Sequence, residues 1–319
     1  MSSQVLFVDF SADNSVRMSL AAPGRRPPAA TLYHCDSLAE LDSVLHAFLA
    51  LHGQPVLVGA GLSVCGWERA GAVDMPNHSY TLRREWIKER LGISRLHLVN
   101  DCVATALAIE RLEETERSVI CHGHDDPTQM KAMIAIGRSL GTTCIVTDEL
   151  GSTMALPCAG GHSDLPAVNA REFAVVERLA ARFGHVSRVR AVSTAGLAEV
   201  HAALTAIDGA APAPATPADV ISLARTGDAR AREAVAMVSA WLAATASDTA
   251  LGVGARGGVF LAGSFFDLLG DLFDPSLFAR RFCDKGRLTQ YLEDISVYLV
   301  RMREPEMVGL STLFAQESL

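Results

Sequence analysis

The chain has 319 residues, 49% of them hydrophobic, with a formal net charge of -8 and a pI of about 5.7. That much apolar sequence supports a large core and excludes a disordered chain, and the length favours two lobes over one small domain. The acidic balance and the absence of any Lys/Arg run argue against a nucleic-acid surface.

Residues 5–10, VLFVDF, read as a buried first strand ending at Asp9. SADN (11–14) is a turn, and VRMSL (16–20) returns as the second strand of a hairpin. The chain start thus leads into a strand with no signal-peptide pattern, and the expected location is cytoplasmic. Pro23–Pro28 is a loop containing Arg25-Arg26. Leu38–Leu51 has helical spacing, with Asp36 or Ser37 as cap and Gly53 as stop. Val56–Ala60 is a buried strand, and Thr81–Leu91 reads as a helix stopped by Gly92.

Ser94–Ile109, SRLHLVNDCVATALAI, changes from strand period to helix period at Asn100-Asp101. A carboxylate there can cap the helix, and it also stands at the carboxyl end of a strand, where open α/β sheets place ligands. Met133–Ile136 and Thr143–Val146 are strands around GRSLG (137–141), a unit that echoes the first hairpin. Paired hairpins of this kind can hold phosphates by their backbone N–H groups. CAGGHSD (158–164) is a turn, Arg171–Phe183 a helix, APAPATP (211–217) a surface loop and Arg230–Leu251 a long apolar helix. GGVFLAGS (257–264) is a strand entering a glycine turn. Phe278–Leu292 carries DKGR, Ile295–Val300 is the last strand, and Glu306–Gln316 is a closing helix. No apolar run reaches membrane-spanning length without a charge or a turn residue, so no membrane partner is expected.

The seven cysteines are scattered and never spaced C-x-x-C, which fits reduced, packed thiols and no structural zinc. Cys102 follows Asp101 but has no histidine assignable from sequence, and reads as packing.

This order of motifs resembles the bacterial glucokinase family of the hexokinase/actin-like ATPase superfamily. The resemblance is carried by PNHSYTL (76–82), LGISRLHLVNDCVATALAI (91–109), LPCAGGHSDLP (156–166), FGHVSRVRAVSTAGL (183–197), GGVFLAGS (257–264), FCDKGRLTQYLEDISVYLV (282–300) and PEMVGL (305–310). It implies a two-lobed α/β, ribonuclease-H-like fold with a central cleft and five-stranded sheets. The small lobe would be residues 1–100 plus a closing helix at about 306–319, and the large lobe 101–305. It further implies transfer of a phosphoryl group from ATP, with Mg2+, to the 6-hydroxyl of glucose. Asp101 would be the general base, Asn100 and His162 sugar contacts, and Asp9 a carboxylate organising magnesium. Asn14, Gly137, Arg138, Gly141 and Gly263 would lie in the nucleotide loops. Homodimers are common in the family.

Several positions depart from the family pattern. Its first phosphate loop reads Asp-x-Gly-Gly-Thr-Asn, whereas this chain has Asp9-Phe10-Ser11-Ala12-Asp13-Asn14. Losing both glycines makes positive φ costly. At ~4 Å and an effective dielectric near 20, a carboxylate at Asp13 would repel a phosphate charge by about 4 kcal/mol. The Gly-Thr-Gly of the second loop is Gly137-Arg138-Ser139-Leu140-Gly141, where Arg138 could contact phosphate by its guanidinium. Two sugar-binding glutamates fall at Ala159 and Val189, and a glycine of the adenosine turn at Ser264. Each charged hydrogen bond lost there is worth about 1.5–3 kcal/mol. The second reading is therefore a catalytically impaired relative that binds a sugar, a nucleotide or a protein as a regulator.

Overall fold

A computed structural model describes residues 3–149, 151–211 and 215–315. Its contacts divide the chain into two units: 1–113 with 149–155 and 302–319, and 114–148 with 156–301.

In the first unit, β1 (Gln4–Asp9) forms an antiparallel hairpin with β2 (Ser15–Ala21), and β3 (Thr31–His34) extends it. Helix α1 (Leu38–Leu51) begins at Ser37, whose side chain accepts from Glu40 N and so satisfies an end-of-helix donor. Leu41, Leu45 and Phe48 form its buried face. The following strand, β4 (Leu57–Val64), runs four residues beyond the Ala60 expected from sequence. Its glycines look like turn residues but serve close packing. A Cβ on Gly59 would stand 2.7 Å from the Phe314 ring and 2.9 Å from the Arg95 carbonyl oxygen.

The expected helix at Thr81 begins later. Thr81–Arg83 is strand β6, paired antiparallel with β5 (Ala72–Asp74), and α2 (Arg84–Leu91) follows. The Thr81 hydroxyl donates to the Asp74 carboxylate, a cross-strand bond that competes with a helical start. The chain then passes through β7 (Leu96–Asn100) directly into α3 (Asp101–Leu107). The sheet order is β3-β2-β1-β4-β7, with β1, β4 and β7 parallel. The closing helix, Pro305–Thr312, packs on α3, β1 and β4; Gln316, where it was expected to end, lies outside the described residues.

The second unit has a sheet of six strands, one more than expected, because β8 (Arg117–Cys121) joins its edge. Strands β9 (Lys131–Ile136) and β10 (Leu140–Thr147) form the anticipated second hairpin, and β11 (Thr153–Cys158) follows. Next come α4 (Ala170–Phe183), α5 (Arg188–Ala191), α6 (Thr194–Ile207), α7 (Pro217–Thr226) and α8 (Ala229–Val253). Residues 212–214 of the expected Pro/Ala loop lie outside the described residues. Strand β12 (Val259–Ala262), α9 (Phe265–Leu269), α10 (Pro275–Cys283), α11 (Thr289–Glu293) and β13 (Val297–Val300) complete the unit. Segment 278–292 contains the end of α10 and α11, separated at DKGR, where Gly286 has φ +53°.

Helix α8 is long and apolar enough to cross a membrane by composition alone. Its buried residues, including Trp241, Leu242 and Ala246, belong instead to the core of this unit, and Trp241 Nε1 donates to the Pro166 carbonyl at 2.7 Å. None of the seven cysteines, all among the described residues, is in a disulfide.

Candidate active site

Asp9 is the last residue of β1 and is 1% exposed. Its cross-strand partner in the hairpin is Arg17, and that register makes an ion pair, Arg17 Nη1 donating to Asp9 Oδ2 at 3.0 Å. Ser11 Oγ donates to the same oxygen at 2.6 Å, and Ser11 N to Oδ1 at 3.2 Å. Asp9 is therefore a buried, paired carboxylate, and no group of three His, Cys, Asp or Glu side chains among the described residues could hold a metal.

The loop after Asp9 solves its missing glycines in another way. Within it only Asn14 has positive φ, at 45°, a conformation that asparagine tolerates. Asn77, from the PNHSYTL motif, braces the turn from below. Its Nδ2 donates to the carbonyls of Phe10 (2.6 Å) and Ala12 (3.2 Å), and its own carbonyl accepts from Asn14 N at 3.2 Å. His78 Nε2 lies 3.2 Å from the Phe10 carbonyl, which fixes that nitrogen as the donor. Sequence reasoning quoted this motif without assigning these two residues a role. Asn77 is 6% exposed and its Oδ1 has no partner. Asp13, feared as a phosphate-repelling charge, is exposed, where water and salt weaken its field.

At the β7–α3 junction the helix cap is Asn100. Its Oδ1 accepts from Cys102 N at 3.0 Å and its Nδ2 donates to the Gly66 carbonyl at 3.1 Å. Asp101 is therefore the first helical residue, with Oδ1 accepting from the same Cys102 N at 2.9 Å. Burial raises the Asp101 pKa. The Cys102 N–H bond opposes that shift and the negative charge of Asp9 adds to it. Burial also pushes the Cys102 thiol well above its usual range, with Asp101 contributing, so it is a poor nucleophile.

In the second unit, Gly137 and Arg138 form the β9–β10 turn, where Gly137 N donates to Ser139 O at 2.9 Å and Arg138 is exposed. Gly141 lies in β10, opposite Ala135, and so is a strand residue and not a loop one. Parallel pairing of β9 with β12 brings the Gly263-Ser264 turn alongside. A Cβ on Gly137 would lie 3.1 Å from Ser264 Oγ, and one on Gly263 (φ +112°) only 2.1 Å from the Ile136 carbonyl oxygen. The Gly160–His162 turn is seated on β10, where a Gly161 Cβ would be 2.1 Å from the Leu140 carbonyl oxygen. Thr142 Oγ1 accepts from Gly160 N at 3.1 Å. The His162 side chain is exposed, as is Ala159, whereas Val189 packs half-buried against the core.

Two α/β units carry these turns, each with a strand–turn–strand hairpin and a buried carboxylate at the end of β1 or beginning of α3 in the first. That is the architecture of the hexokinase/actin-like kinases. A sequence model of the Glucokinase family matches residues 14–317. A glucokinase from Chromobacterium violaceum is 36% identical over 311 residues, covering 97% of this chain and 89% of that protein. A glucokinase-like protein from Caulobacter vibrioides is 34% identical over 305 residues, covering 95% and 94% respectively. Among solved structures, a glucokinase from an Antarctic psychrotroph superposes with a TM-score of 0.86 at 26% identity, covering 98% of this chain and 99% of that one. The chain belongs to the glucokinase family.

Proposed function

We propose that this protein transfers the γ-phosphoryl group of MgATP to the 6-hydroxyl of glucose. The observation that carries the reading is Asp101, a half-buried carboxylate of raised proton affinity at a strand-to-helix junction, in a chain of the glucokinase family. Phosphoryl transfer asks little covalent chemistry of a protein beyond positioning, charge stabilisation and one base at the attacking oxygen. Asp101 accepts the proton of the 6-hydroxyl as its oxygen bonds to the γ-phosphorus and ADP leaves. Asn100 and His162 hold sugar hydroxyls. By the family resemblance, Asn14 in the first unit and Gly137, Arg138 and Gly263 in the second are the nucleotide contacts, with Gly141 in β10 beside the second turn. Magnesium enters with the nucleotide as part of the substrate, and no step is assigned to a resident metal. The reaction belongs in the cytosol, and a homodimer is the assembly that the family resemblance suggests.

A second reading, an impaired relative that binds without turning over, draws on the Asp9–Arg17 ion pair and on Ala159 and Val189 at the two expected glutamate positions. A coupled assay of glucose-dependent ADP formation over a sugar panel separates the two. Turnover with glucose supports the kinase. Glucose or nucleotide binding in calorimetry without turnover on any sugar supports the impaired relative.

A further inference from the structure

The closing helix makes its tightest approach to α3 at Gly309, where a Cβ would lie 1.7 Å from the Ala104 carbonyl oxygen. No side chain fits there, so the two backbones set their own spacing. One turn earlier on the closing helix stands Glu306. Thr105 Oγ1, one turn along α3 from Asp101, donates to Glu306 Oε1 at 3.3 Å. Glu306 also lies within the fields of Asp9, Arg17 and Asp101. The same face carries the Cys102 thiol of α3, which feels the Glu306 charge. Strand β4 brings no charged residue to this helix. Of the charges after α3, Glu110 is exposed and Arg111 is turned to the Gly24 carbonyl and Ser311 Oγ. Glu304, just before the helix, accepts from Ala30 N. Arg17 is thus the cation that acts on Glu306 here, and it is already paired with Asp9.

We propose that Glu306 is a positioning residue for Asp101: as a neutral carboxyl it braces α3 through Thr105, and as a carboxylate it adds a negative charge beside the base that repels the transferring phosphate. The proposal rests on the reading of Asp101 as the general base. Desolvation raises Glu306 to about 8, with the Asp9 charge adding to the shift and Arg17 opposing it. The carboxyl therefore holds its proton well above the ordinary glutamate range, and its ionised fraction grows as pH rises past neutral.

The test is the pH dependence of kcat/KM for MgATP with saturating glucose, in the native chain and in Glu306→Gln and Glu306→Ala. The native value falls roughly tenfold between pH 7.5 and 9.5 as one like charge appears beside the base. In Glu306→Gln, which keeps the shape and cannot ionise, the change over that range shrinks to about twofold or less. Glu306→Ala lowers kcat severalfold at pH 7.5, and Glu306→Gln, which keeps an acceptor for Thr105 Oγ1, restores most of that loss. An alkaline limb that persists in Glu306→Gln, in an active native enzyme, overturns the proposal. A native chain inactive toward glucose at every pH overturns the glucokinase reading instead, and this role with it. Tm measured from pH 5 to 9 separates these failures. Native Tm falls relative to Glu306→Gln across that range wherever this half-buried carboxyl is desolvated as described, whether or not the chain is a kinase.

Discussion

Asp101 combines two demands that are hard to meet together. As the proposed general base it must be deprotonated near neutral pH, yet basic enough to draw a proton from a sugar hydroxyl, and partial burial beside Asp9 moves it in that direction. Asp101→Asn keeps the size and the Cys102 N–H acceptor, so the helix start should survive while kcat falls about 10²–10⁴-fold. A rate within threefold of native would remove Asp101 from the chemistry. The sign of the pKa shift also fixes two pH effects. Activity is lost as pH falls through the raised Asp101 value, so the acid limb lies above the ordinary aspartate range. Stability runs the other way. The native state holds this proton more tightly than the unfolded chain, so the Asp101 contribution is least unfavourable at low pH and worsens as pH rises between the two pKa values. Asp101→Asn therefore gains in Tm relative to native as pH rises from 4 to 7, and equal Tm differences across that range would contradict the shift. Asp101 was legible in sequence because strand period gives way to helix period at that residue. Its cap was not, since Asn100 and Asp101 are both capping residues and only the φ/ψ of the junction decides between them.

At the scale of elements, the first hairpin turn stays shaped without glycine because a neighbouring segment holds it. Asn77 contributes two side-chain bonds and one backbone bond to residues 10–14. Asn77→Ala leaves the Phe10 and Ala12 carbonyls short of a donor, at a cost of about 1–3 kcal/mol in stability. Because this turn is read as a nucleotide turn, the variant should also raise KM for MgATP more than KM for glucose, which steady-state kinetics resolves. Equal changes in both would detach the turn from the nucleotide. No pattern within residues 11–14 reveals the brace, since it comes from a segment more than sixty positions away. Long-range competition also explains the other differences. Pairing with Ala72–Asp74 delays the helix expected at Thr81, and the packing of Phe314 onto Gly59 keeps a glycine-bearing segment in β4. Elements with strong local signals were legible: α1 has the expected bounds Leu38–Leu51, and of the two expected caps, Asp36 and Ser37, the structure uses Ser37. Strand β8 and the β5–β6 pair were not, because short strands are fixed by the partner they meet.

At the scale of the molecule, the question is how much sugar affinity survives without glutamates at positions 159 and 189. The two positions differ physically. Ala159 is exposed, so a longer polar side chain there costs the fold little. Val189 packs half-buried against the core of the second unit, and Val189→Glu would bury a charge whose penalty confuses any binding readout. Ala159→Glu alone is therefore the informative variant. A ligand that binds only the native state stabilises by about 2.7 kcal/mol at one hundred times its Kd, so Tm reads affinity even where turnover is slow. If position 159 meets glucose, one charged hydrogen bond should tighten binding by about tenfold, and a fixed millimolar glucose concentration should raise Tm further in Ala159→Glu than in native. MgATP should raise Tm equally in both, since the change adds nothing to the nucleotide turns. Equal glucose shifts would mean that position 159 does not meet the sugar. A larger MgATP shift in the variant would mean that the Gly160–His162 turn belongs to the nucleotide side, and the roles assigned to that turn would have to be exchanged.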